Sequence, residues 1–222
     1  MNKTELIPRV VENKDWVTVL FILAFVMVAI TKTVFENRFS DFIKLIGNNK
    51  YLKIYKDSSN LMSWFTILLF VVQLISLSFF VELVLYYLDY IKTKTDWIVY
   101  IQIFTFLSFF VLSKFLIEKI IATSFNIEGF TEQFNLFKVS YRTYIGLLLL
   151  PINIVLFYTD FVNTYMIKCL IAILLIINAV TYLISLKNYQ KLLLSKLFYF
   201  ILYICALEIA PYYFMYYVIT KR

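Results

Sequence analysis

The residues able to do chemistry here are few, and most sit where lipid should reject them. Glu208 stands inside the apolar stretch Leu194 to Ile219, three residues before Pro211. Gln73, Gln102 and Asn153 interrupt three other apolar stretches. A charge at mid-bilayer costs roughly 2.5–3.5 kcal/mol by insertion scales, so Glu208 needs a partner, a proton or both. At about 1.5 Å per residue, Glu208 lies roughly 20 Å from the start of its span; Gln73, Asn153 and Gln102 fall near 18, 21 and 22 Å from the same face. The spacing therefore predicts an interhelical polar cluster of Glu208, Gln73, Gln102 and Asn153. Lys114 lies too far from Glu208 in depth to pair with it and is expected to snorkel. Pro211 and Pro151 are predicted kinks, because proline cannot donate to the carbonyl four residues back. Such a cluster has two readings: it fixes helix register, or it forms a site for a proton, a lipid headgroup or a partner helix.

Other chemistry is scarce. The chain has no histidine, which removes the commonest metal ligand and the usual neutral-pH acid–base group. Cys169 and Cys205 lie in apolar runs and read as small buried hydrophobes, neither a disulfide nor a metal pair. No nucleophile–base set stands out, so no catalytic residue, metal or cofactor is expected. Glu82 is expected at the outer membrane edge, and Glu118 and Lys119 are expected to be solvated near the inner edge.

The elements that must position these residues are long apolar segments. Of 222 residues 62% are hydrophobic, and mean hydropathy is +0.82; a soluble domain is roughly half apolar. The fold class predicted is an all-α membrane protein with six transmembrane helices at about 16–34, 61–88, 97–121, 139–158, 165–186 and 194–219, forming one domain over 1–222. Residues 123–138 read as a polar connection with a short amphipathic piece through Phe130, Phe134 and Phe137. Only Gly47, Gly129 and Gly146 are glycines. Close helix approach and broken transport helices both lean on glycine, which counts against alternating access.

Residues 35–60 join spans one and two. Phe39, Phe42, Ile43 and Ile46 recur at helical spacing, and a second turn carries Tyr51, Leu52, Ile54 and Tyr55 among lysines. Apolar and basic faces together predict an amphipathic interfacial segment, with Arg38, Lys44, Lys50, Lys53 and Lys56 on anionic lipid headgroups. The alternative is a loop packed on the spans. The net charge of +7 fits basic loops on lipid better than nucleic acid. One side carries 3, 2, 1 and 2 Lys or Arg in its segments, the other 6, 4 and 3. The richer side stays in the cytoplasm, so both termini are predicted periplasmic, in a bacterial inner membrane.

Three stretches resemble one family of Bacteroidota inner-membrane proteins: FENRFSDFIKL with NNKYLKIYK, YRTYIGLLLLPINIVL, and SKLFYFILYICALEIAPYYFMYY. The family carries a domain-of-unknown-function label, DUF4271, and is often encoded beside uroporphyrinogen-III synthase. The resemblance implies no catalytic residue. The same bacterial group carries type IX secretion and gliding machinery, which makes that machinery a candidate context. The function expected is a non-catalytic scaffold or accessory subunit of an envelope complex, with a protein partner in the membrane. A small proton-coupled transporter using Glu208, or a lipid-modifying enzyme, are the alternatives.

Overall fold

A computed structural model describes residues 14–46, 51, 54–55, 63–94, 96–124, 128–159 and 163–188. Glu208, Pro211, Cys205, the predicted span 194–219 and Lys50, Lys53 and Lys56 lie outside the described residues. The described elements are helices: α1 (Asp15–Val34), α2 (Glu36–Ile43) continued by a 3-10 turn (Lys44–Ile46), α3 (Trp64–Tyr87), α4 (Trp97–Ser124), α5 (Glu128–Tyr158) and α6 (Thr164–Asn188). Five of them contain stretches long and apolar enough to cross a membrane: Asp15–Val34, Trp64–Tyr87, Trp97–Ser124, Thr131–Tyr158 and Thr164–Thr181. These are the features of a multi-pass membrane protein.

Local chemistry sets the helix ends. The Asp96 carboxylate accepts the Ile98 N–H at 3.1 Å, capping the first turn of α4. At the other end of the same connection, α3 stops in a left-handed residue, Asp89, with φ 61°. The Tyr90 N–H bonds the Leu85 carbonyl at 2.9 Å and the Asp89 N–H bonds the Tyr86 carbonyl at 3.0 Å, the pattern that closes a helix C-terminus. Two hydroxyls inside the spans bond their own backbone. Thr31 donates to the Met27 carbonyl at 2.7 Å and Ser78 to the Leu74 carbonyl at 2.8 Å, as bilayer interiors require.

The polar stretch 128–138 is not a connection. It forms the first turns of α5, which runs through Pro151 to Tyr158 without interruption. Phe134 and Phe137 are buried, so the segment is a helix with an apolar stripe, and its polar residues mark the helix start.

Helix α3 is the centre of the bundle. It packs most extensively on α5, and also on α4 and α1. One core joins Val17, Phe21 and Ala24 of α1, Val72, Ile75, Phe79 and Leu83 of α3, Tyr100 of α4, Leu150, Leu156 and Phe157 of α5 and Ile167 of α6. A second joins Phe39, Phe42 and Leu45 to Tyr51, Phe65 and Leu69. The turn between α1 and α2 is a single residue, Phe35, which stacks edge-on against Phe65. By contrast α4 and α6 expose long apolar faces, including Ile98, Phe109 and Ile120 on α4 and Tyr165, Leu175 and Leu183 on α6.

Candidate functional site: a polar seam between two spans

The α3–α5 interface lies between the two cores and carries two of the four buried polar side chains of the central helix, Gln73 and Ser76. On α5 the facing residues are Ser140, Thr143, Gly146, Leu150, Asn153 and Phe157, at steps of three and four; on α3 they are Leu69, Gln73, Ser76, Phe80 and Leu83, stepped the same way. Such spacing brings one stripe of each helix together. Both helices carry their rungs in ascending order, Gln73 with Thr143 and Ser76 with Asn153, so the two spans run parallel.

Gly146 sets the separation. A Cβ there would lie 2.7 Å from Gln73 Cγ and 3.1 Å from Gln73 Cα. The backbones meet where only hydrogen fits, the small-residue logic of membrane helix contacts. One turn earlier, Thr143 donates its hydroxyl to Gln73 Oε1 at 2.9 Å. Ten residues further along α5, Asn153 Nδ2 donates to the Ser76 carbonyl at 2.6 Å and approaches Ser76 Oγ at 3.3 Å. Asn153 is fully buried, and its Oδ1 has no partner among the described residues.

Gln73 and Asn153 thus come to one interface, though each bonds a different residue. Gln102 does not join them. Its side chain is exposed on α4, because the buried face of that helix is the one bearing Tyr100, Lys114, Glu118 and Ala122. The fourth expected member, Glu208, lies outside the described residues. Pro151 is exposed within α5, two residues before Asn153. Thr143, Ser76 and Gly146 were not singled out from the sequence, which drew attention to large polar groups. The three-and-four spacing of Thr143, Gly146, Leu150 and Asn153 was the available signal.

At the α2 end, the seam continues into Arg38, which the sequence assigned to lipid headgroups. The structure buries it instead. Its guanidinium donates to Ser63 Oγ at 2.8 Å and to Thr66 Oγ1 at 3.4 Å. It lies 4.6 Å from the Phe65 ring centroid and 4.9 Å from that of Tyr55. A planar, weakly hydrated cation suits this mix of hydroxyl and aromatic neighbours. Lys44 is exposed, so its expected role stays open to solvent or headgroups. Tyr51 is buried beside Arg38 and Ser140; burial pushes its phenol above the ordinary range, with the guanidinium opposing. A small cavity of about 10 Å³ remains among Phe42, Tyr51, Thr66, Ser140 and Thr143, room for about one water.

Four further expectations change. Glu118 is buried and accepts from Lys138 Nζ at 3.1 Å across α4–α5, so it is paired and not solvated. Lys114, one turn earlier, is buried too, where a snorkelling side chain would be exposed. Cys169 is an exposed free thiol on α6, not a core residue. Glu82, expected at a wet edge, is 1% exposed. Among the described residues no group of three or more His, Cys, Asp or Glu is placed to hold a metal ion.

One family model matches the chain. No curated protein and no solved structure matches the chain. The model of the family described as Domain of unknown function (DUF4271) matches residues 17–219, which include both seam helices and every bonded residue named above. The chain belongs to that family.

Proposed function

We propose that this protein is a non-catalytic, multi-pass component of a bacterial inner membrane, serving as a scaffold or accessory subunit of an envelope complex. One observation supports the reading above others. The side chains of Gln73, Thr143 and Asn153 bond across the α3–α5 seam, while the apolar faces of α4 and α6 are left outward. Ligand pockets usually enclose about 300–1,000 Å³; the seam cavity is about 10 Å³. It suits a joint better than a substrate. An outward apolar face can be covered by lipid or by a partner helix with equal hydrophobic gain, so small-residue packing and polar bonds decide between them. In this reading α2 lies at the cytoplasmic headgroup level with Lys44 toward anionic lipid, and both termini face the periplasm. Secretion and gliding machinery is the suggested context.

The test is affinity purification of the full chain in mild detergent. A stoichiometric membrane partner is the expected result. Isolation without a partner, together with proton-dependent solute uptake in liposomes, would replace this reading with the transporter. That second reading rests in the sequence on Glu208; among the described residues, the feature that favours it is a buried carboxyl with an unused oxygen, Glu82.

A further inference from the structure

Glu82 sits on α3, one turn after Phe79, at the end of the helix away from Arg38. It is 1% exposed, and its Oε1 has no hydrogen-bond partner among the described residues. The Asp96 backbone N–H approaches the carboxyl, and the Asp96 side chain lies within electrostatic reach. Tyr100 of α4 also lies within reach. Its hydroxyl is buried and unpartnered among the described residues. Among the described residues, Asp96 and Tyr100 are titratable neighbours of Glu82; Asp96 is acidic and neither is a cation.

Aromatic rings close the neighbourhood. Tyr100 packs on Phe79 with centroids 4.4 Å apart, and Trp16 of α1 lies 5.3 Å from Tyr100 and 5.0 Å from Trp97. Trp16, Phe79 and Trp97 bring no acceptor or charge.

An ionised carboxylate here would be desolvated, short of donors and next to a second acid. Each of these disfavours the charged form, and a buried carboxyl in such surroundings takes up a proton instead. We propose that Glu82 is an intramembrane proton-binding site at the α3–α4 end of the bundle, with the Tyr100 hydroxyl as its polar neighbour. Binding forms one O–H bond and takes the carboxyl from a charge of −1 to zero. The neutral acid then has a donor as well as an acceptor, and the Tyr100 hydroxyl on the facing helix is an unused group able to meet it. This site is separate from the α3–α5 seam, and it stands whether or not the chain is a scaffold.

Infrared difference spectroscopy on the full chain in lipid nanodiscs tests it. At neutral pH, wild type minus Glu82→Gln should show a carbonyl band of a protonated carboxylic acid, lost in the variant. Should Glu82→Gln fail to fold, Glu82→Asp keeps the acid but shortens it, and the same band should move. No change in the acid-carbonyl region in either variant overturns the proposal. So does loss of a carboxylate band in place of the acid band.

Discussion

Replacing Gly146 by Ala is the sharpest probe of the seam. The added Cβ would stand 2.7 Å from Gln73 Cγ and 3.1 Å from its Cα, where ordinary contact begins at 3.4 Å. Swinging the Gln73 side chain relieves the first contact but gives up the Thr143 bond. The second contact is with backbone, so α3 and α5 must also part by a few tenths of an ångström. Overpacking of this kind costs about 1–3 kcal/mol, and the lost bond adds about 0.6 kcal/mol. Against them stands a gain of about 0.8–1 kcal/mol from replacing glycine by alanine in a helix. The net expectation is a loss of about 0.6–2.8 kcal/mol. Gly129→Ala is the internal control: nothing lies within 4 Å of its Cβ position, so only the propensity gain applies and stability should rise by up to about 0.8 kcal/mol. Reversible unfolding in mixed micelles titrated with dodecyl sulfate, followed by circular dichroism, reads both. A Gly146→Ala protein as stable as wild type, or more so, would refute the close approach of the two spans.

Two further outcomes follow from buried charge. Arg38→Ala should lower stability by about 2 kcal/mol in the same assay, with Arg38→Lys failing to restore it, since an ammonium cannot serve two hydroxyls and two rings together. If the substitution instead weakens binding to anionic vesicles and leaves stability unchanged, Arg38 faces headgroups after all. Lys138→Met should cost about 3 kcal/mol by stranding Glu118, while the double change with Glu118→Gln should recover most of that loss; additive losses would show that the two do not form a pair.

The length and apolarity of the runs made five spans legible in the sequence. Trp64–Tyr87 and Trp97–Ser124 fall within three residues of the expected bounds 61–88 and 97–121, because a run of apolar residues bounded by charged turns has one stable conformation in lipid. What those residues alone left open was direction. The spans are apolar all round, so no hydrophobic face says which side of α1, α3 or α4 turns inward. Only packing decided that Gln73 and Asn153 share an interface while Gln102 faces out. The same holds for charge: Arg38, Glu82 and Glu118 look like edge residues by position, and each is buried because a neighbouring helix covers it. At Gly146 the sequence recorded one of three glycines. Tertiary structure made it the point where two backbones touch, since what a missing side chain permits depends on what stands opposite.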